Sequence, residues 1–256
     1  MTTKIPEKKA KQPLKIISKF HIEGGVVARN TKHVNVKNKK LKSSSKLWLQ
    51  RHINDEYTSK AIALGFRARS AFKLIEIQEK FDIFNLGKKY LHGKHIKAEK
   101  ILDLGCAPGG WAQVVLKETK AQVIGVDLIK IDPLPNMDFY QGDFCDYELK
   151  KMLAEKYSKF ELILSDIAPN TTGNKVVDSL MLIGILEQEW DFVQEFLQEG
   201  GAFVCKVFRS GAEAGLLLEM KKSFEFVKHF KPKSSRKESN EFYVVALNFK
   251  KPIISL

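Results

Sequence analysis

The chain has 256 residues, is 44% hydrophobic and carries a formal charge of +13, enough apolar material for one core of ordinary domain size with chain left over. No apolar run approaches the length of a membrane span and no signal peptide opens the chain, so a cytoplasmic protein without membrane contact is expected. Three cysteines, Cys106, Cys145 and Cys205, lack C-x-x-C spacing, which argues against a disulfide framework or a metal site and suits a reducing compartment. Each has apolar neighbours in the sequence and is expected to be buried.

Residues 1–44 hold 12 Lys/Arg against 2 Asp/Glu, a net of +10, so the remaining 212 residues are close to charge balance. Low hydrophobicity, a single aromatic (Phe20) and the Lys-Asn-Lys-Lys stretch mark this segment as a flexible basic arm suited to a polyanion. A merely solvated charge run is the alternative. An organelle leader fits less well, because the segment is Lys-rich and shows no amphipathic helix. The folded domain is expected over 45–256.

From residue 45 helices and strands alternate. A helical stretch over 45–81 carries Trp48, Phe66, Phe72, Ile75 and Phe81 at three- and four-residue spacings. Strands follow at 100–105, 122–127, 137–141 and 160–165, with helices from Trp111 to Glu118 and near 146–157. A long amphipathic helix over 178–198, ended by Gly200-Gly201, leads to strand 202–208. Helix 212–222 and the strands 224–230 and 241–249 complete the chain. Strands joined by helical crossovers predict an α/β fold with a mostly parallel seven-stranded sheet covered on both faces. The last two strands have no helix between them, so one of them should run antiparallel.

The run Lys100-Ile101-Leu102-Asp103-Leu104-Gly105-Cys106-Ala107-Pro108-Gly109-Gly110-Trp111 is a strand entering a glycine-rich turn and then a helix. Glycines there let a nucleoside-bearing cofactor approach the backbone closely. The spacing is G-x-x-x-G-G rather than the dinucleotide G-x-G-x-x-G. A second carboxylate, Asp127, ends the next strand at the distance expected of a ribose-binding acid. A nucleoside cofactor without a pyrophosphate, S-adenosylmethionine, fits best; a nicotinamide dinucleotide is the weaker alternative.

Four charges lie where an apolar environment should exclude them. Lys206 interrupts the strand Ala202–Phe208, Asp166 ends Phe160–Ser165, Glu241 opens the last strand, and Lys73 has apolar neighbours in its helix. Each alone reads as a snorkelling lysine or a strand-end acid. Together they point to the C-terminal edge of a parallel sheet, where ligands bind.

These stretches resemble the 2′-O-ribose RNA methyltransferases of the bacterial large-subunit ribosomal RNA type, the heat-shock methyltransferase family. The matching segments include Trp48-Leu49-Gln50, Arg67–Leu74, Asp103–Trp111, Gln141–Phe144, Ser165–Asn170, Val204–Phe208 and Ser234-Ser235-Arg236. The resemblance implies a Rossmann-like class I S-adenosylmethionine-dependent methyltransferase with a Lys-Asp-Lys-Glu tetrad on Lys73, Asp166, Lys206 and Glu241. It implies cofactor contacts at Gly109, Trp111, Asp127, Asp143 and Asp166, although Asp143 after Gly142 also reads as a turn-initiating residue. Cys106 departs from the alanine common in relatives, and the basic arm exceeds the family minimum.

Methyl transfer to a ribose hydroxyl needs an aligned acceptor and a base for its proton. Lys206 is the expected base, with Lys73 positioning the 2′-oxygen, Asp166 orienting Lys206 and Glu241 holding Lys73. The Asp166-Ile167-Ala168-Pro169 run does not match an amino-group methyltransferase, and Cys205 lies inside a strand rather than in the loop a pyrimidine C5 enzyme needs. Ribose oxygen methylation is the remaining fit, and the resemblance implies as substrate a uridine 2′-hydroxyl in 23S ribosomal RNA, within the assembled large subunit, with the protein expected to be a monomer. Arg67, Arg69, Arg209, Arg236, Lys237 and the arm are expected to contact phosphates. Transfer RNA as substrate, or a ribosome-assembly role without catalysis, are the alternatives.

Overall fold

The structure, a computed structural model, describes residues 53–87, 97–169, 172, 174–208, 211 and 213–250. The arm 1–44, the Trp48-Leu49-Gln50 segment, Asn170 and Arg209 lie outside the described residues. The chain divides into two units, Met1–Glu56 and Tyr57–Leu256, and the sheet with its crossover helices belongs to the second.

The helical stretch expected before residue 81 is two helices, α1 (Glu56–Ala63) and α2 (Ala71–Phe81). Phe66 N–H donates to Ala61 O at 2.8 Å across left-handed Gly65, which closes the first helix end. The segment 64–70 between them carries Arg67 and Arg69. A single 3₁₀ turn, Ile83–Asn85, follows α2.

Seven strands form one sheet: β1 (Lys100–Leu104), β2 (Gln122–Asp127), β3 (Met137–Gln141), β4 (Phe160–Ser165), β5 (Leu197–Phe208), β6 (Phe224–Phe230) and β7 (Glu241–Phe249). Their order is β3-β2-β1-β4-β5-β7-β6. β3, β2, β1, β4 and β5 are parallel neighbours, whereas β7 runs antiparallel to both β5 and β6. The physical reason is connectivity. The β5-to-β6 crossover leaves a gap one strand wide, and β7, returning from β6 without a helix, fills it in the opposite direction.

The crossover helices are α3 (Gly110–Glu118), α4 (Tyr147–Tyr157), α5 (Lys175–Phe196) and α6 (Ala214–Ser223). Asp146 caps α4, its side chain accepting from Leu149 N–H at 2.9 Å. Alternating strand residues face opposite layers. Leu102, Leu104, Ile124, Val126, Phe203, Cys205 and Val244 pack in one buried cluster with Leu153 of α4 and Leu186, Trp190 and Val193 of α5. On the other face α2 and α3 lie together: the Trp111 indole N–H donates to Ser70 O at 2.9 Å and its ring meets Tyr243 at 5.7 Å.

Two sequence expectations change. Gly200 and Gly201 do not end the long helix; β5 already begins at Leu197, and the pair lies in it where the β4 register shifts. Cys106 and Cys205 are buried, but Cys145 is exposed. It sits in the turn between β3 and α4, where its N–H is held by Asp143, so its apolar neighbours do not carry it into the core. Among the described residues no helix is long and apolar enough to cross a membrane, and no cluster of His, Cys, Asp and Glu could hold a metal ion.

Candidate active site

The four charges singled out in the sequence meet in space. Asp166 follows the last residue of β4, Lys206 lies in β5, Glu241 opens β7 and Lys73 is in the first turn of α2. Lys206 Nζ is 3.1 Å from Asp166 Oδ1 and donates to the Asp166 backbone O at 2.6 Å. Lys73 Nζ is 3.0 Å from Glu241 Oε1 and 3.7 Å from the same Asp166 Oδ1. Both lysines are 8% exposed. Removing such charges from water is costly, and here each ammonium has a carboxylate within salt-bridge reach. With all four ionised their charges cancel.

Tyr243 is the member that sequence reasoning missed. It pairs with Lys206 across β5 and β7, and its hydroxyl donates to Asp166 Oδ1 at 2.5 Å. The Lys73 ammonium lies 5.5 Å from the centre of its ring. Its local signal, a tyrosine in an apolar strand, is too common to single out. Burial alone would raise the Asp166 pKa, but Lys206, Lys73 and the Tyr243 hydroxyl outweigh it and hold the carboxyl below its usual value.

A cavity of about 270 Å³ opens beside Lys73 and Glu241, lined also by Arg69, Ser70, Arg236 and Ser239. The loop between β6 and β7 that forms one wall is pinned to α2. Glu76 accepts from Lys233 N–H at 2.5 Å and from Ser234 N–H at 2.9 Å, and Arg69 donates to Ser234 O. The Ser234-Ser235-Arg236 segment is thereby held next to the tetrad.

The glycine turn lies at the same sheet edge. Gly109 has φ +103, and a Cβ there would come within 3.0 Å of both Arg67 Nη1 and Leu134 Cδ1. Gly105 lies so close to Ile167 that a Cβ would overlap its side chain at 2.3 Å. Asp127 Oδ2 accepts from Ala107 N–H at 2.7 Å and its Oδ1 from Ile129 N–H at 2.8 Å. The β2 carboxylate thus braces the turn. Gly142 N–H donates to Asp127 O at 2.9 Å, which brings Asp143 beside it. Asp143 Oδ1 accepts from Cys145 N–H at 2.9 Å, so the turn-initiating role is realised. Trp111 is buried at 2% exposure, its indole N–H spent on Ser70 O.

Arg67 differs from its expected role as a phosphate contact. Its guanidinium donates to Pro108 O (3.1 Å), Asp132 O (2.7 Å) and Pro133 O (2.9 Å), while its N–H donates to Gln113 Oε1 (2.7 Å). It clasps the glycine turn to the segment after β2. These are backbone carbonyls that only the folded chain brings together.

Beneath the turn lies Asp103, 1% exposed, with no hydrogen-bond partner for Oδ2. Burial, and then the neighbouring Asp166, push its pKa well above the usual range. Asp103, Asp127 and Asp166 therefore converge beside a glycine cradle. Carboxyl groups beside a glycine cradle suit a nucleoside cofactor, whose hydroxyl and amino groups need acceptors.

Residues 66–249 match the FtsJ-like methyltransferase family. The chain belongs to this family. It is 45% identical over 208 residues to the ribosomal RNA large subunit methyltransferase E of Granulibacter bethesdensis, covering 81% of this chain and 86% of that relative. It is 43% identical over 228 residues to the protein of that name from Rickettsia bellii, covering 86% and 96%. Among solved structures, a ribosomal RNA methyltransferase from Plasmodium falciparum is similar with a TM-score of 0.58 and 35% identity, over 72% of this chain and 98% of that one. The chain is accordingly a methyltransferase of the Rossmann-like class I fold, in agreement with the expected sheet and its antiparallel strand.

Proposed function

We propose that this protein methylates the ribose 2′-hydroxyl of a uridine in 23S ribosomal RNA of the large subunit, with Lys206 as general base. The observation that carries the reading is the convergence of Lys206 and Lys73 on one oxygen of Asp166 at the sheet edge that bears the glycine turn. The names of the relatives support ribosomal RNA as the acceptor. An RNA acceptor also agrees with the chemistry, since the 2′-hydroxyl is what distinguishes RNA from DNA.

S-adenosylmethionine, when bound, supplies a methyl group activated on a sulfonium. Gly109, Trp111, Asp127, Asp143 and Asp166 are the residues proposed to hold it. Gly109 leaves room for it, Asp127 presents a carboxylate for ribose hydroxyls, and Asp166 lies at the junction between the cofactor's side of the edge and the two lysines. Asp143 lies beside Asp127 and extends that acidic rim, while Trp111 fixes the start of α3 through Ser70.

The acceptor ribose is proposed to enter the cavity beside Lys73 and Glu241. Arg69 and Arg236 on its walls attract the flanking phosphates. Lys73, held by Glu241, donates to the 2′-oxygen and orients it. Lys206 in its neutral form takes the hydroxyl proton as the oxygen attacks. Asp166, fixed by the Tyr243 hydroxyl, keeps Lys206 aimed and stabilises the ammonium that forms. Residues 1–44 are proposed to act as a basic arm that adds phosphate contacts to a catalytic domain over 45–256. The protein is proposed to work as a cytoplasmic monomer on the assembled subunit.

The test is transfer of labelled methyl from S-adenosylmethionine to large ribosomal subunits from a methylation-deficient strain, with Lys206→Ala alongside. Label in an alkali-resistant dinucleotide, lost in the variant, is the expected result. Label on transfer RNA instead would move the substrate, and bound cofactor with no labelled RNA would favour an assembly role.

A further inference from the structure

One buried acid takes no part in the proposed chemistry. Glu189 of α5 is 2% exposed and lies in a layer that is otherwise apolar: its chain neighbour Trp190 and the nearby Leu186 and Val193 all belong to the core. A carboxyl in such a place is expensive unless it is paired or neutral. Its partner is Ser165, whose hydroxyl donates to Glu189 Oε1 at 2.5 Å. Ser165 ends β4 and immediately precedes Asp166. Its Oγ also accepts from Ile167 N–H at 3.3 Å, so the hydroxyl bridges Glu189 to the backbone just past Asp166.

Strand alternation places the two systems on opposite faces. Ser165 pairs with Cys205, and Cys205 with Val244, facing α5. Asp166, Lys206 and Tyr243, each one position away, gather on the face of α2. Glu189 therefore sits behind the catalytic cluster, with the end of the sheet between them.

We propose that Glu189 is a positioning residue for methyl transfer, holding through Ser165 the turn that presents Asp166 to Lys206. The inference rests on the assignment of Lys206 as base and Asp166 as its orienting acid. On its own face Glu189 meets Ser165 at the end of β4 and Cys205 of β5, and through the end of the sheet it feels the charges of Asp166, just past β4, and Lys206 of β5. Burial drives its pKa up to about 7, with Asp166 adding to the rise while the Ser165 hydroxyl and Lys206 oppose it. The uncharged carboxyl is thus the dominant form in mildly acid solution. Above that range an anion appears behind the cluster, so any part of the transfer rate that depends on the state of Glu189 changes near pH 7.

The experiment is single-turnover methyl transfer to methylation-deficient large subunits between pH 6 and 9, with cofactor affinity measured in parallel. Glu189→Ala removes the acceptor and is expected to slow transfer by about tenfold or more, with cofactor affinity held within about twofold. Glu189→Gln keeps an acceptor for Ser165 but cannot ionise. It is expected to restore the rate and to remove from the pH profile the Glu189-dependent inflection near pH 7. Ser165→Ala should reproduce the loss, and it keeps the test decisive where Glu189→Ala fails to fold. Wild-type rates in both Glu189→Ala and Ser165→Ala would overturn the proposal, as would a Glu189→Gln variant as slow as Glu189→Ala. A Lys206→Ala control separates the two readings. Activity retained there sinks the base assignment; activity lost there but kept in Glu189→Ala and Ser165→Ala sinks only the role of Glu189.

Discussion

Lys206 grips Asp166 at both ends, its Nζ lying 3.1 Å from the carboxylate Oδ1 and donating at 2.6 Å to the backbone carbonyl of the same residue. The base and its orienting acid are therefore one rigid unit at the junction of β4 and β5. A lysine on a parallel neighbour strand can do this because β4 ends one residue before Asp166, leaving that carbonyl free of the ladder. Lys206→Ala is expected to lower methyl transfer by ~10²–10⁴-fold. Cofactor affinity, measured calorimetrically, should stay within about threefold, because Lys206 is not among the residues proposed to hold the cofactor. Near-normal turnover with bound cofactor would remove Lys206 from the role of base.

Tyr243→Phe keeps the ring that meets Trp111 and Lys73 but loses the donor to Asp166 Oδ1. A hydrogen bond to a charged group contributes about 1.5–3 kcal/mol, so transfer should slow by roughly tenfold or more while Lys206 loses its fixed partner. Stability should also respond to acid. Asp166 has a folded pKa below its usual 3.8, so the stability it contributes is complete above that value and is lost as pH falls through the folded value. Removing the Tyr243 hydroxyl narrows this gap, and acid unfolding should begin at higher pH than in the wild type.

Glu189 supplies the opposite sign. Its folded pKa of about 7 lies above the usual 4.5. Its contribution to stability is fully present below about pH 4.5, diminishes as pH rises and is gone above about 7. Thermal unfolding of Glu189→Gln should lack this loss between pH 4.5 and 7. Parallel wild-type and variant curves across that window would refute a titration there.

Arg67→Ala removes three guanidinium hydrogen bonds that tie Pro108 to Asp132 and Pro133. At about 0.5–1.5 kcal/mol each, and with the guanidinium exposed, the expected outcome is cofactor affinity weakened by roughly tenfold, with a smaller effect on the maximal rate. Gly109→Ala should be more severe, since its φ of +103 is strained for alanine and the added Cβ meets Arg67 and Leu134. An Arg67→Ala variant that binds cofactor normally but RNA poorly would return Arg67 to the phosphate role.

Deleting residues 1–44 removes a net charge of +10. RNA affinity should then fall less steeply with salt, the log–log slope shrinking by about 0.7 for each single-strand phosphate that the arm neutralises. Filter binding across a salt series gives this directly. An unchanged slope would show that the arm makes no phosphate contact.

The sequence alone determined the sheet, the glycine turn and the four charges, because each is written locally. Apolar runs of strand length alternate with helical periods, glycines mark close backbone approach, and a charge inside an apolar run is conspicuous wherever it occurs. Periodicity cannot place a helix break such as 64–70, which depends on where Arg67 and Arg69 find partners. Nor could it tell that Cys145 faces solvent, since a turn residue's burial depends on what packs over it. Only the tertiary structure decided that Tyr243 shares an oxygen with both lysines, that Arg67 serves the glycine turn, and that Glu189 lies behind Asp166. The reason is the same for all three. Their partners come from 41 to 77 positions away or from another layer of the fold, and such proximity is created by strand order and register, which no local pattern encodes.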